Sequence, residues 1–154
     1  MKHEEENMQI ACVRWFSMQY PQYAMLLHSS PNGGRRNLRE AARFKAMGTK
    51  AGFPDLFFCY PTGSVHGLFI ELKTAKGRQS EAQKQWEDAC TRVWYLYKIV
   101  RSFDEFVEVM TEYINSIRQH ESLHKRLLEI RRVSAPTEEE RRQAEKDLKM
   151  MESK

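Results

Sequence analysis

The chain has 154 residues, of which 41% are hydrophobic and 11% aromatic, enough to build the core of one domain. No stretch reaches the roughly 18 apolar residues of a membrane helix, and the acidic start lacks the features of a signal peptide. These features predict a cytoplasmic protein with no membrane partner. Its three cysteines, Cys12, Cys59 and Cys90, are odd in number and lack a CxxC pair, so we expect reduced, buried thiols.

The net charge is only +4, but basic residues are concentrated in one segment. From Arg35 to Lys50 the chain carries six basic residues and one acidic residue, and a smaller basic cluster begins at Lys73. Because lysine and arginine displace the counterions of a phosphate backbone, both segments predict contacts with nucleic acid. The charge of these segments is equally compatible with a solvent-exposed helix face that does not bind nucleic acid. The predicted DNA contacts from the two segments are Arg35, Arg36, Arg39, Arg43, Lys45 and Lys76.

The first fifty residues show two helical patterns separated by turn-forming residues. Apolar spacing predicts an amphipathic helix over 4–20 that stops before Pro21, and a short apolar run predicts a strand over 23–27. Turn formers fill 29–36, where Asn32-Gly33-Gly34 permits positive φ. A helix over 38–47 with an outer basic face follows, and Gly48 ends it.

The next segment indicates a hairpin followed by alternating helices and strands. Strands over 55–60 and 68–74 are joined by the turn-forming stretch 61–67. Further along, the patterns predict a helix over 80–90, a strand over 94–100 and a helix over 102–117 capped by Ser102. The resulting order of elements predicts an α/β domain with a central mixed β-sheet flanked by helices.

The composition changes after about residue 115. Residues 115–154 contain 10 basic and 8 acidic residues and no aromatic residue, so they cannot form a core of their own. Pro136 interrupts a helical pattern, and Thr137 with Glu140 forms a capping box for a last helix. We therefore predict a domain over 1–114 and a charged helical tail over 115–154, which packs on the domain or on a second chain.

The strongest motif is Asp55, followed sixteen residues later by Glu71 and then by Lys73. If Asp55 lies opposite Glu71 in an antiparallel pair, the hairpin is centred on Gly63, in the middle of the turn. Because side chains alternate along a strand, all three residues of the motif share one face. The other face is entirely apolar, consisting of Leu56, Phe58, Leu68, Ile70 and Leu72. This register predicts two carboxylates with Cβ atoms about 5 Å apart on the side away from a buried face.

Two carboxylates at that separation repel each other unless one is protonated or a divalent cation lies between them. Oxygen ligands of this kind suit Mg²⁺ or Mn²⁺, which also accept phosphate oxygens from a substrate. Lys73 lies on the same face, where it can orient or deprotonate an attacking water and stabilise charge on phosphorus. These groups are suited to phosphodiester hydrolysis, and the alternative is a structural salt bridge.

Several short groups of residues occur along the chain in a set order. The ordered series is more specific for a protein family than any single group. The groups are Glu6 with Gln9 and Trp15, Ser30 to Gly34, Lys45 to Gly48, Gly52 to Asp55, Gly67 to Lys73, and Ser80 with Gln83. With them, residues 4–114 resemble the VRR-NUC branch of the PD-(D/E)xK nuclease superfamily. One departure is Arg92-Val93-Trp94, where the family often has Gly-Tyr before its last strand.

The resemblance implies a restriction-endonuclease-like core and a metal-dependent nuclease acting on branched DNA. It also implies a homodimeric Holliday-junction resolvase, with a bacterial or phage-type, nucleoid-associated setting. Carried over by position, Asp55 and Glu71 would be metal ligands and Lys73 the catalytic lysine.

The resemblance implies roles for four further residues. Glu6 would complete the acidic cluster from the first helix, although Glu4 and Glu5 are left open as alternatives. Gln83 would support the catalytic site. Asn32 would contact DNA or shape the mouth of the pocket, as would Arg35.

Two other functions are compatible with parts of the sequence. A non-catalytic module that binds branched DNA would share the basic segments. His120-Glu121-Ser122-Leu123-His124 matches the HExxH pattern of zinc metalloproteases, but it is flanked by charged residues and no later histidine supplies a third ligand. An exposed helix face with incidental histidines is the preferred interpretation of that segment.

Overall fold

The computed structural model describes residues 2–30 and 38–153. The chain divides into two compact units, Met1–Thr111 and Glu112–Lys154. Helix α4 passes through the domain boundary predicted after residue 114, which stays a prediction. The elements in chain order are α1 (Lys2–Gln19), a 3₁₀ helix (Pro21–Leu26), β1 (Leu27–Ser29), α2 (Leu38–Ala46), β2 (Leu56–Phe58), β3 (Leu68–Leu72), α3 (Glu81–Arg92), β4 (Leu96–Val100), α4 (Phe103–Ser134) and α5 (Glu138–Glu152).

The four strands form one mixed sheet in the order β1-β2-β3-β4. The pairs β1–β2 and β2–β3 are antiparallel, whereas β3–β4 is parallel, because α3 carries the chain back across the sheet. The α/β fold class with a mixed sheet, predicted from the order of elements, is therefore confirmed.

The hairpin register is also the predicted one. Leu56 lies opposite Ile70 and Phe58 lies opposite Leu68, which centres the hairpin on residue 63. All four of these apolar side chains are fully buried. Phe16 of α1 packs on Phe58 with ring centroids 5.3 Å apart, so α1 covers the apolar face of the hairpin. Burial of that face fixes which way the motif residues point.

A second core lies on the opposite face of the sheet, beneath α3. Its buried members are Phe69, Cys90 and Tyr97, and partly buried hydrophobic side chains pack around them. Phe57 and Phe69 stack across the hairpin with centroids 4.4 Å apart. Aromatic packing therefore fixes the position of α3 relative to the face that carries the acidic motif.

The strand predicted over 23–27 is wrong for most of its length. The structure has a 3₁₀ helix at Pro21–Leu26, and only the last predicted residue belongs to β1. Pro21 lies in the first turn of the helix, where its fixed φ favours a helical start and its missing N–H is not needed. Tyr23 turns its ring towards Tyr60 at 5.2 Å, so these apolar residues pack without pairing as a strand.

The second unit contains the end of α4 and the whole of α5. Thr137 and Glu140 form the predicted capping box, which starts α5 after the helix break at Pro136. Ion pairs such as Lys125 to Glu152, at 2.7 Å, join the two helices. None of the described helices is long and apolar enough to cross a membrane.

The cysteines differ in their burial. Cys12 and Cys90 are buried as expected, but Cys59 is exposed, which corrects the prediction for that residue. Cys59 follows the last residue of β2, where the chain leaves the core.

Two glycines with positive φ lie in the loop before Asp55. Substitutions at these glycines test whether the loop packs closely against α3. Gly52 has a φ of +76°, and a Cβ there would lie 2.5 Å from the carbonyl carbon of Ala82 and 2.7 Å from the amide nitrogen of Gln83. Gly48 has a φ of +97° but open space around its Cβ position. We expect Gly48→Ala to lower the free energy of unfolding by about 1–2 kcal/mol through backbone strain. Gly52→Ala should lower it by roughly 1–3 kcal/mol more, because α3 must also shift.

Urea unfolding of the two variants measures this difference. Gly52→Ala should also reduce any activity that depends on Gln83, because the clash falls on the backbone of that residue. Equal losses of stability in the two variants would contradict the close contact between the loop and α3.

Candidate active site

The acidic motif converges at one end of the β2–β3 hairpin. Asp55 directly precedes β2, Glu71 lies within β3, and Lys73 follows it. The Asp55 Oδ2 atom accepts a hydrogen bond from the backbone N–H of Leu72 at 2.9 Å, which holds its carboxylate against the neighbouring strand. The three side chains meet at this place because the antiparallel register sets Asp55 across from Glu71.

Glu71 is the centre of the site and is almost completely buried, with 1% of its side chain exposed. Lys73 donates from Nζ to Glu71 Oε1 at 2.6 Å. The Gln83 side-chain amide donates to the same oxygen, and the Tyr97 hydroxyl donates to Oε2 at 3.5 Å. A buried carboxylate with three side-chain donors is held in a single orientation.

Gln83 is held in place by the start of α3. Its Oε1 accepts from the backbone N–H of Ser80 at 2.9 Å, and its own N–H donates to Ser80 Oγ at 3.3 Å. This capping box fixes the oxygen of the Gln83 amide, so that the NH₂ group points at Glu71. The capping motif therefore also positions a donor in the site.

Burial raises the pKa of both carboxyl groups, and repulsion from one neighbouring carboxylate adds to it, from Glu5 for Asp55 and from Asp55 for Glu71. Removal from water is the largest cause for each of them. The pKa of Glu71 rises to about 7, since the charge of Asp55 adds to desolvation. The pKa of the Tyr97 hydroxyl is also raised, mainly by burial and then by the charge of Glu71. The site therefore carries more negative charge than its own protein surroundings compensate.

Glu5 is the residue of the acidic start that reaches this site. Its Oε1 accepts from the backbone N–H of Thr74 at 3.0 Å, and its charge contributes to the raised pKa of Asp55. Glu6 instead lines a groove formed with residues of α1 and β1, including Gln9 and Ser29. The assignment of Glu6 as a metal ligand stays a prediction, and the geometry favours Glu5, one of the alternatives left open.

The spacing of residues along α1 distinguishes Glu5 from Glu6, because it shows which of them lies on the buried face of the helix. Glu5 lies seven residues before Cys12 and eleven before Phe16, both fully buried, so the three share one face of α1. Glu6 lies three residues before Gln9 and seven before Val13, which line the groove. The buried face of α1 therefore directs Glu5 towards the sheet.

Sequence reasoning also missed Arg101, which lies just after β4. Its Nη1 donates to the carbonyl oxygens of Thr74 at 2.9 Å and Gly77 at 2.8 Å. The turn after Lys73 is thus held from one side by Glu5 and from the other by Arg101. No local pattern marks Arg101, because its role depends on the parallel pairing of β3 with β4.

The four predicted DNA-contact residues that the structure describes are exposed and lie in two parts of the chain. Arg39, Arg43 and Lys45 belong to α2, whereas Lys76 lies in the turn after β3. Exposed positions agree with a role in contacting a polyanion and equally with a solvated surface. The predicted DNA contacts Asn32, Arg35 and Arg36 lie outside the described residues.

The HExxH segment lies on α4 in the second unit. His120 and His124 are both exposed, with ring centroids 6.3 Å apart. Within residues 2–30 and 38–153, no group of three or more His, Cys, Asp or Glu side chains could by itself hold a metal ion. Nothing in this part of the chain supports the zinc protease interpretation.

The Asp55–Glu71 pair nevertheless fits a hard divalent cation. Both groups offer oxygen atoms, and their pKa values are raised mainly by burial, so a nearby positive charge would stabilise the charged form of each carboxylate. Mg²⁺ is commonly held by one or two carboxylates and takes its other ligands from water and substrate phosphates. A pair of carboxylates beside a lysine is therefore a suitable donor set.

Comparison with known proteins agrees with this geometry. The family model of the VRR-NUC domain matches residues 2–104. A solved structure described as a VRR_NUC domain protein aligns with a TM-score of 0.64 and 30% sequence identity, over 73% of this chain and 88% of the other. No curated protein matches the chain. The first unit contains all of the residues matched by the family model, including the acidic motif, and the chain thus belongs to the VRR-NUC family of nuclease domains.

Proposed function

We propose that the protein is a DNA endonuclease that depends on Mg²⁺ or Mn²⁺ and hydrolyses phosphodiester bonds in branched DNA, with the four-way junction as its substrate. The observation that carries this proposal is the contact between buried Glu71 and Lys73, beside the second carboxylate of Asp55. A purely structural ion pair would not need a second, partly buried carboxylate whose pKa is also raised.

The residues of the site have distinct roles in this proposal. Asp55 and Glu71 would hold the cation, with Glu5 or Glu6 as the additional acid from α1. Once bound, such a cation supplies charge neutralisation and polarisation of the scissile phosphate and the attacking water. Gln83 and Tyr97 hold the Glu71 carboxylate in one orientation, so it need not rearrange during the reaction.

Lys73 is the general base or the electrostatic stabiliser of the site. Its Nζ lies 2.6 Å from Glu71 Oε1 and 12% of the side chain remains exposed, so the amine can reach both the carboxylate and a substrate phosphate. An amine in this position can take a proton from the attacking water or neutralise charge that develops on phosphorus. The exposed cations of α2, together with Lys76, would hold the DNA backbone without reading its bases.

We propose that the active form is a homodimer. A four-way junction contains two equivalent strands at its centre, so two copies related by a two-fold axis would present one site to each of them. The resemblance to homodimeric junction resolvases supports this assembly. A protein of this activity would work where DNA is accessible, in the cytoplasm and on the nucleoid of a bacterial or phage-infected cell.

A panel of labelled DNA substrates tests the proposed activity. Linear duplex, flap, splayed and four-way substrates are incubated with Mg²⁺, Mn²⁺ or EDTA, and the products are separated on denaturing gels. We expect cleavage of the four-way junction in Mg²⁺ or Mn²⁺ and none in EDTA. Tight binding without cleavage in any metal would instead identify a non-catalytic module for branched DNA, and a complete lack of DNA binding would overturn the proposal.

A further inference from the structure

Trp94 lies between α3 and β4. Its aromatic side chain is exposed, and its backbone adopts a conformation that is unfavourable for residues other than glycine. Its side chain is 70% exposed, and its φ of +63° lies in the left-handed region. Among the described residues it is the only non-glycine residue with a positive φ. A Cβ atom there crowds the following carbonyl oxygen, and glycine is the common residue at this place after a helix.

The backbone around Trp94 is fixed from both sides. Its N–H donates to the carbonyl oxygen of Thr91 at 3.2 Å, and its carbonyl oxygen accepts from the N–H of His66 at 2.8 Å. The next residue, Tyr95, donates to the carbonyl oxygen of Cys90 at 3.0 Å. The strained conformation is therefore built into the junction between α3 and the sheet, and it holds the indole at the surface.

The indole lies at the opposite end of the β3–β4 pair from the acidic site. His66, which donates to the Trp94 carbonyl oxygen, lies just before β3 and precedes Glu71 by five residues, a separation of about 17 Å along an extended chain. Tyr97, three residues after Trp94 in the chain, already reaches Glu71. Successive nucleotides of a DNA strand are about 3.4 Å apart along the helix axis, so the distance from Trp94 to Glu71 corresponds to roughly five nucleotides.

The surroundings of the ring are better suited to binding a nucleobase than to forming a protein interface. Arg92, two residues earlier in the chain, and His66, whose backbone is bonded to that of Trp94, are both exposed, and Val93, 55% exposed, is the adjacent apolar residue. A stable protein interface buries roughly 800 Å² on each partner, more than one indole and one valine provide. A single aromatic ring is instead sufficient to stack on one base, and the exposed guanidinium of Arg92 can attract a neighbouring phosphate.

We propose that Trp94 is the residue that reads the branch, by stacking on a base exposed where two DNA helices meet. This inference rests on the proposed function. The bases of a continuous duplex stack on each other and offer no open face, whereas a branch point, a flap or a frayed end does. The contact would therefore favour branched over linear DNA and set the distance from the branch to the cut.

The test compares variants at Trp94 on a four-way junction and a linear duplex of the same sequence. Affinity is measured by fluorescence anisotropy in EDTA, and cut positions are mapped in Mg²⁺. Trp94→Ala should weaken junction binding by about fivefold to a hundredfold, the range for one lost base stack, and reduce the preference over duplex. Trp94→Phe should retain most of the preference, and the cut positions of Trp94→Ala should spread over neighbouring nucleotides.

Trp94→Gly separates the effect of the aromatic ring on DNA affinity from the effect of backbone strain on stability. It removes the strain along with the ring, so its melting temperature should rise by roughly 3–6 °C while junction affinity falls as in Trp94→Ala. Met25→Ala is the matched control, because Met25 is also a large exposed apolar residue and should leave both quantities unchanged.

The outcomes distinguish this inference from the proposed function. If the wild-type protein prefers and cuts junctions and Trp94→Ala behaves in the same way, only the role of Trp94 is overturned. Equal losses of affinity for junction and duplex would also overturn it, as would an oligomer that dissociates in Trp94→Ala while DNA binding is retained. If the wild-type protein binds no DNA, the proposed function fails first.

Discussion

Lys73→Ala should reduce DNA cleavage in saturating Mg²⁺ by about two to four orders of magnitude, the range attributed to a positioned acid or base. Lys73 donates to Glu71 Oε1 at 2.6 Å, and no neighbouring side chain duplicates an amine at that point of the described site. Junction affinity should change little, because in the proposed function the exposed cations of α2 provide most of the attraction to the DNA backbone. Single-turnover cleavage rates and anisotropy titrations measure the two effects separately.

Two further variants sharpen this prediction. Lys73→Arg keeps the positive charge but replaces an amine that can release a proton with a guanidinium that does not. A nearly inactive Lys73→Arg variant would identify a general base, and a substantially active one would identify electrostatic stabilisation. Lys84→Ala is the control, since Lys84 is exposed, pairs with Glu81 at 2.7 Å and should leave the rate unchanged. A Lys73→Ala variant that cleaves at the wild-type rate would contradict the assignment of the site.

The hairpin shows why this part of the structure could be predicted from the sequence. A five-residue apolar face and a turn centred on Gly63 leave a single register in which the hydrophobic side chains are buried. Once that register is set, alternation along the strands places Asp55, Glu71 and Lys73 together. The core of the candidate site therefore follows from local spacing and from the burial of one face.

The contacts that complete the site could not be predicted in the same way. Tyr97 and Arg101 reach it only because β4 pairs in parallel with β3, a contact that crosses a whole helix and leaves no short-range pattern. The choice between Glu5 and Glu6 depends on the direction of the buried face of α1, which three consecutive acids do not reveal by themselves. Propensity also failed over 23–27, where packing of Tyr23 and the start at Pro21 override an apolar run.

Glu71→Gln should abolish cleavage and, without divalent metal, make the protein more stable at alkaline pH. The pKa of Glu71 is raised from 4.5 to about 7 in the folded protein, so the folded state binds this proton more tightly than the unfolded state does. The contribution of Glu71 to the free energy of unfolding should therefore be fully present below pH 4.5 and be lost between pH 4.5 and about pH 7, an amount on the order of 3 kcal/mol. Gln83 and Tyr97 can still hydrogen-bond an amide in place of the carboxylate.

Thermal unfolding of the wild type and Glu71→Gln between pH 4 and pH 9 in EDTA measures this difference. The two curves should diverge as the pH rises, with the variant more stable above pH 7. Glu81→Gln should follow the wild type, because Glu81 is exposed and its ordinary ion pair with Lys84 does not involve the site. Parallel curves for the wild type and Glu71→Gln would show that Glu71 is not held at a raised pKa.

Addition of Mg²⁺ or Mn²⁺ links this instability to the proposed function. A cation bound to Asp55 and Glu71 replaces the proton in compensating their charge, so it should raise the melting temperature of the wild type most at alkaline pH. Glu71→Gln should gain much less from the same metal concentration. Equal stabilisation of the two proteins by metal would place the cation elsewhere. A carboxylate that destabilises the metal-free fold yet is required for cleavage would show that burial of Glu71 serves catalysis at the expense of stability.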